Sequence, residues 1–360
     1  MAAIHGHANA KQALQSAMGG DRLHHAWIFS GPTGVGKRTV AMELARILLD
    51  PEQTTDQFGE PDSDSPSESG LLLTAGSHPD LHLVRKEDAA HSDNRALRER
   101  KQLNIPLDLL RERMIGGRTS DGKNRDAVAY RTATRGNGKV FILDEAELID
   151  RTAQNILLKT LEEPPQGTFI FLITSRPEKL LSTIKSRCQH IQFGTLDDSS
   201  MRTWLASQDF SLEEEEIQWL LNWSEGSPGR LEMAVKHDLI SWAKSLEPML
   251  KEADRGRWQA ELGPTMVELV EQFAELTLAE NKNASKEAAN REGFRQLLRM
   301  LGQHLRTRLA DNNEESSAQC CMTIDMLSEI ERQSESHLNL KQLLESLSAG
   351  WASPEYVPTN

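Results

Sequence analysis

The chain has 360 residues, 38% hydrophobic and 5% aromatic, with a formal net charge of −13. That length points to two or three domains, and the acidic balance argues against a protein that grips nucleic acid over its whole surface, though local basic patches stay open. Three cysteines, Cys188, Cys320 and Cys321, supply neither a disulfide framework nor a C-x-x-C pair for zinc. No apolar run of membrane-spanning length and no signal-peptide core occur, so the expectation is a cytoplasmic protein with no membrane segment.

Residues 8 to 18 predict a helix, and Ala26 to Ser30 a short buried strand that runs into "GPTGVGKRT", residues 31 to 39. "KRTVAMELARILL" follows with Val40, Ala41, Leu44, Ile47 and Leu48 at helical spacing. Strand, glycine-rich loop and helix are the setting of a phosphate-binding loop, G-x-x-x-x-G-K-[ST], whose backbone N–H groups wrap phosphates at a helix N-terminus. Gly31, Gly36 and Lys37 meet the pattern, with Pro32, Thr33, Gly34 and Val35 between them, and Lys37 would reach the outer phosphates. Arg38 then stands where a hydroxyl normally holds the magnesium ion. A guanidinium carries donors only, so it cannot ligate a cation. Thr39, the obvious substitute, points about 100° away around the helix. Nucleotide binding is therefore expected to survive better than hydrolysis.

Residues 50 to 70 hold seven acidic residues, no basic ones and almost nothing apolar, and read as a disordered or mobile loop. "DLHLV" (80 to 84) resembles a strand and "IPLDLLRERMI" (105 to 115) a helix. Residues 111 to 139 carry eight Lys or Arg against three acids, a local +5 that fits either a solvated basic loop or a nucleic-acid or partner contact. "KVFILDEAE" (139 to 147) is an apolar strand ending in Asp144 and Glu145, at the strand end where open parallel sheets place ligands. Asp144 could hold magnesium and Glu145 could orient water. "RTAQNILLKTLEEPP" is an amphipathic helix stopped by Pro164 and Pro165, and "TFIFLIT" (168 to 174) another buried strand. After about residue 195 the strand signal ends. Short helices to 238 and a longer helical stretch over 239 to 349 follow. Alternating helices and continuously apolar strands imply an α/β fold with a parallel sheet covered on both faces.

Taken together, "HAWIFSGPTGVGKRTVA", "GSHPDLHLV", "LLKTLEEPP" and "TIKSRCQHIQF" resemble the clamp-loader subunits of bacterial DNA polymerase III, within the AAA+ superfamily, over residues 4 to 235. The incomplete phosphate loop, "HAW" and "HPDLH" resemble the delta-prime kind more than the ATPase kind, gamma/tau. The resemblance implies an AAA+ domain over 1–195, a helical lid over 196–238, a helical collar over 239–350 and a tail over 351–360. It implies that Thr174 matches a first sensor position and Arg230, in "GSPGRLEMA", a second sensor. Arg187, in "SRC", matches an arginine finger presented to a neighbour's nucleotide, and Glu145 would be degenerate or vestigial. Implied partners are delta and gamma/tau subunits in a hetero-pentamer, with the sliding clamp and primed DNA reached through the complex. The cofactor expectation is a weak or vestigial ATP site, doubtful magnesium and no zinc, because the acidic stretch stands where relatives often carry a four-cysteine module. A hydrolysing gamma/tau-like ATPase is the alternative. A P-loop kinase of small substrates fits the first 50 residues but neither "LEEPP" nor "SRC".

Overall fold

The structure, a computed structural model, describes residues 4–19, 23–50, 67–99, 103–135, 138–280, 285–310, 314–335 and 339–352. Most of the expected mobile acidic stretch, residues 51–66, lies outside the described residues. The chain forms two compact units, Met1–Ser211 with Ser224–Arg230, and Leu212–Trp223 with Leu231–Asn360. Residues 196–238, expected as a lid, are shared between the two.

The first unit is built on β1 (Ala26–Ser30), β2 (Leu81–Val84), a short hairpin of β3 (Gly117–Arg118) and β4 (Asn124–Arg125), β5 (Lys139–Leu143), β6 (Thr168–Thr174) and β7 (Gln189–Gln192). Five of these strands form one parallel sheet in the order β2-β5-β6-β1-β7. Successive side chains on a strand face opposite ways, so the apolar runs fill two layers. Ala26, Ile28, Phe141, Leu143, Ile170 and Leu172 join one core with Leu109, Leu110, Leu157 and Leu161. Phe29, of the opposite parity, packs on Phe171 and Phe193 with ring centroids 5.5 and 5.1 Å away. The helices of this unit are α1 (Ala8–Met18), α2 (Lys37–Leu49), α3 (Glu68–Thr74), α4 (Arg95–Arg98), α5 (Leu107–Leu110), α6 (Arg151–Glu162), α7 (Ser182–Lys185) and α8 (Asp198–Ala206). This is the expected α/β AAA+-like fold.

Two local readings change. The helix expected over 105–115 is four α-helical residues followed by a π-helical turn, Arg111–Ile115, closed by Gly116 at φ 70°. The carboxyl end of the acidic stretch is ordered: the Ser67 hydroxyl donates to Asp50 (2.6 Å) and its oxygen accepts the Gly70 N–H (2.8 Å), starting α3.

The basic stretch pairs much of its charge within the chain. Arg125 reaches Asp93 at 3.0 Å and Asp121 at 3.6 Å, Arg131 pairs with Asp126, and Arg135 grips Glu68 through both terminal guanidinium nitrogens. The buried Lys139 ammonium donates to the carbonyls of Val128 and Arg131, which ties the stretch to the sheet.

In the second unit lie α9 (Glu214–Ser224, through Trp223), the greater part of α10 (Pro228–Lys236), α11 (Leu239–Ala253), α12 (Leu262–Glu280), α13 (Lys286–Ala310), α14 (Glu314–Glu335) and α15 (Leu340–Ala352). Apolar stripes on α11, α12, α13 and α15 supply its core, including Trp242, Phe273, Phe294 and Leu344. One largely buried acid joins three of these helices. Asp254, just past α11, accepts from Arg308 (2.7 Å) and His304 (2.8 Å) on α13 and from the Trp351 indole (2.9 Å) on α15. Trp351, expected in the tail, is thus a buried helical residue. Among the described residues no helix is long and apolar enough to cross a membrane.

Candidate functional site

The loop between β1 and α2 is fixed by what its carbonyls meet. Gly31, at φ 146°, leaves β1 with its N–H bonded to the Thr174 carbonyl at the end of β6 (3.3 Å). A Cβ on Gly31 would stand 2.2 Å from the Phe193 carbonyl oxygen, so only glycine fits. The Lys37 ammonium turns back and donates to Gly31 O (2.7 Å) and Pro32 O (2.6 Å). Thr33 O accepts from the Ser227 hydroxyl (3.0 Å), and Gly34 O from the Gly229 N–H (2.8 Å). Val35 O accepts from His7 Nε2 (2.6 Å), and Gly36 O from Val40 N–H (3.0 Å) as α2 begins. Thr39 is exposed.

The charges around the loop are paired in an order the sequence does not announce. The Arg38 guanidinium lies 3.2 Å from the Asp144 carboxylate, at the carboxyl end of β5. Glu145 sits in the left-handed region (φ 52°) and its carboxylate meets the Lys86 ammonium at 2.7 Å. Burial pushes the Glu145 carboxyl upward, and Lys86 opposes that shift. Lys37 is itself buried, and desolvation pulls its ammonium down to about 8 against the charges of Glu147 and Asp144.

Glu147 is a member of the site that sequence reasoning did not single out. Its Oε1 accepts from the Ser175 N–H (3.2 Å) and hydroxyl (2.6 Å), while Oε2 is buried with no hydrogen-bond partner. Burial acts to raise its carboxyl, but the bonds from Ser175 and Thr174 outweigh it and the net shift is downward. His7, Lys86, Ser227 and Gly229 were missed as well. None carries a spacing signal to the loop, since His7, Lys86 and the Ser227–Gly229 segment come from three separate parts of the fold.

Thr174 is buried, its hydroxyl accepting the Arg176 N–H (3.0 Å) beside Glu147. Arg230 places its backbone nitrogen against Gly34, while its guanidinium pairs with Glu225 at 2.9 Å. Arg187 stands apart from these groups, paired with Glu162 at 2.6 Å and bonded to the Thr183 carbonyl at 2.9 Å. The residues that could meet a phosphate are therefore the loop backbone, Lys37 and Arg38. Among the described residues, no cluster of three or more His, Cys, Asp or Glu side chains is placed to hold a metal ion.

A five-stranded parallel sheet with a glycine loop after the interior strand β1 and an Asp-Glu pair at the end of β5, two strands away across β6, defines an AAA+-like α/β fold. A family model described as DNA polymerase III, delta subunit, matches residues 6–197, more than half of the chain. The chain belongs to that family. It is 33% identical over 220 residues to DNA polymerase III subunit delta' of Pseudomonas aeruginosa, covering 61% of this chain and 58% of that one. It is 29% identical to the delta' subunit of Escherichia coli over 208 residues, 58% of this chain and 53% of that one. To the gamma/tau subunit of Mycobacterium tuberculosis it is 30% identical over 209 residues, 57% of this chain and 30% of that one. The chain thus matches less than two thirds of the length of these relatives. A solved DNA polymerase III gamma subunit-related protein from Thermotoga maritima aligns with a TM-score of 0.42 at 17% identity, over 96% of this chain and 100% of that one.

Proposed function

We propose that this chain is a delta-prime-type subunit of a bacterial DNA polymerase III clamp loader: a cytoplasmic binding and assembly protein that helps ATP-dependent loading of the sliding clamp onto primed DNA. Its partners are delta and gamma/tau subunits in a hetero-pentamer, with clamp and DNA engaged through the complex. Residues 239–350 serve as the collar that holds it there, beyond an AAA+ domain over 1–195 and a lid over 196–238.

One observation carries the preference for this reading over a hydrolysing gamma/tau-like ATPase. Arg38 lies 3.2 Å from Asp144 while Lys86 lies 2.7 Å from Glu145, so each carboxylate of the Asp-Glu pair meets a cation of the chain itself. A hydrolytic site needs the first acid to hold a metal and the second to orient water. Here Lys37 must also leave two loop carbonyls before its ammonium can reach a phosphate. ATP is then held weakly or not at all, and the chain's chemical contribution is Arg187, offered to a neighbour's nucleotide.

Co-purification with candidate delta and gamma/tau subunits, followed by DNA-stimulated ATPase assay of complex and isolated chain, tests the proposal. The expected result is assembly, with turnover confined to the complex. Substantial turnover by the isolated chain would favour the gamma/tau-like alternative. Failure to join either subunit would remove the clamp-loader role.

A further inference from the structure

The entrance to α10 is fastened directly to the glycine loop. The Gly229 N–H bonds the Gly34 carbonyl at 2.8 Å, and the fully buried Ser227 donates its hydroxyl to Thr33 O at 3.0 Å. The approach is closer than any side chain permits. A Cβ on Gly229 would lie 2.8 Å from Gly34 Cα and 3.2 Å from Gly34 O, and one on Gly34 would lie 2.6 Å from the Ser227 oxygen. His7 holds the far end of the loop through Val35 O, its ring edge-on to Phe193 at 5.1 Å. Phe193 in turn donates its N–H to Ser30 O (2.7 Å), beside Gly31.

We propose that His7, Ser227 and Gly229 form a ligand-independent latch, which keeps the Ser227–Arg230 segment on the glycine loop whether or not a phosphate occupies it. The physical basis is that loop and segment meet backbone to backbone, with two glycines in contact and no gap for a bridging anion to fill. A segment that followed nucleotide state would instead reach the loop through phosphate oxygens. The latch rests on contacts inside this chain, so it stands or falls separately from the assembly role proposed above.

Gly229→Ala tests it by the sign of its effect. Gly229 is the second residue of α10 and is not among the positive-φ glycines, and alanine is the better helix former. With nothing packed against it, the variant would melt at a higher temperature than the parent. With the latch in place, the new methyl must push loop and helix apart. The melting temperature then falls, and amide exchange speeds up in peptides covering both 31–40 and 225–231. Ser227→Ala removes one bond to the loop, together with the 3.3 Å bond that its oxygen accepts from the Arg230 N–H, without adding an atom. It is expected to keep the fold and speed exchange in the same two peptides about fivefold, the factor for one lost hydrogen bond. Millimolar magnesium-ATP is expected to leave parental exchange in the 225–231 peptide unchanged. A raised melting temperature for Gly229→Ala, unaltered loop exchange in Ser227→Ala, or slowing of the 225–231 peptide by ATP would each overturn the latch.

Discussion

The guanidinium of Arg38 lies 3.2 Å from the carboxylate of Asp144, so the cation beside this acid is one the chain carries itself. The arginine side chain is 55% exposed and the aspartate 18%, so the pair contributes little to folding, at most about 1 kcal/mol. Its effect is on chemistry. Arg38→Thr should uncover Asp144, supply the missing hydroxyl and leave stability nearly unchanged. Titration with a fluorescent adenine nucleotide, with magnesium and then with chelator, is expected to show a magnesium-dependent gain only in the variant. Equal affinities for both chains in both buffers would mean that Arg38 does not govern the metal.

Lys37 should titrate far below an ordinary lysine. Burial pulls its ammonium from 10.5 to about 8, with Glu147 and then Asp144 opposing the shift. Below pH 8 both folded and unfolded chains keep the proton, and the folded chain bears the cost of burying the charge. Between about pH 8 and 10.5 the folded state has released a proton that the unfolded state retains, so this group makes stability rise with pH over that window. Methyl-labelled lysine NMR should find one resonance titrating near 8 that disappears in Lys37→Met. If the resonance lost in that variant titrates near 10.5, the buried position is wrong.

The sheet was legible because β1, β5 and β6 are continuous apolar runs, as strands covered on both faces must be. Strand β7 was not, since Gln189, His190 and Gln192 are exposed on an edge and only Ile191 points inward. The glycine loop and the Asp-Glu pair were legible from spacing. What each charge does was not. Arg38 and Asp144 are 106 residues apart, and Lys86 and Glu145 are 59 apart, so only the folded sheet brings them together. Glu147 gave no signal because its importance comes from burial beside Lys37 and Ser175, which no local pattern encodes.

Asp254 should make the helical second unit acid-sensitive. Burial acts to raise its carboxyl, but bonds from His304 and Trp351 and the charges of His304 and Arg308 hold it below the ordinary 3.8. A depressed carboxylate contributes stability that is complete above the unfolded value and is lost as pH falls through the folded one. Removing one partner of such a largely buried pair costs up to about 3 kcal/mol, the low end of the cost for a fully buried one. Asp254→Asn should therefore melt well below the parent at neutral pH, and the gap should narrow below pH 3.8. A gap constant with pH would mean that packing, and not charge, sets the cost.

The three thiols should separate by reactivity. Cys321 is exposed, Cys320 is fully buried, and burial pushes the Cys188 thiol up to about 12. Since the thiolate is the reactive species, native protein at neutral pH should take up one maleimide quickly, at Cys321, with Cys188 and Cys320 following only on unfolding. Fast native labelling of Cys188, read by peptide mass, would contradict its partly buried placement against the core.

Arg187 gives the sharpest test of the proposed role, because the folded chain offers it a competing partner. Its guanidinium meets Glu162 at 2.6 Å, yet 36% of the arginine and 48% of the glutamate side chain stay exposed. A half-exposed pair of this kind is worth about 1 kcal/mol or less, so it can be exchanged for a neighbour's γ-phosphate at small cost. An arginine supplied in trans raises hydrolysis by about 10³ to 10⁵ in well-studied nucleotide hydrolases, and less is expected where several sites share the work. Arg187→Ala should then leave melting temperature and assembly almost unchanged while cutting DNA- and clamp-stimulated ATPase of the reconstituted complex. Glu162→Gln separates the two functions of the arginine: it frees Arg187 from its partner and should preserve ATPase. If Arg187 serves only the ion pair, both variants should lose the same small amount of stability and neither should lose turnover in the assembled complex. Undiminished ATPase from a stable Arg187→Ala complex would exclude the trans role.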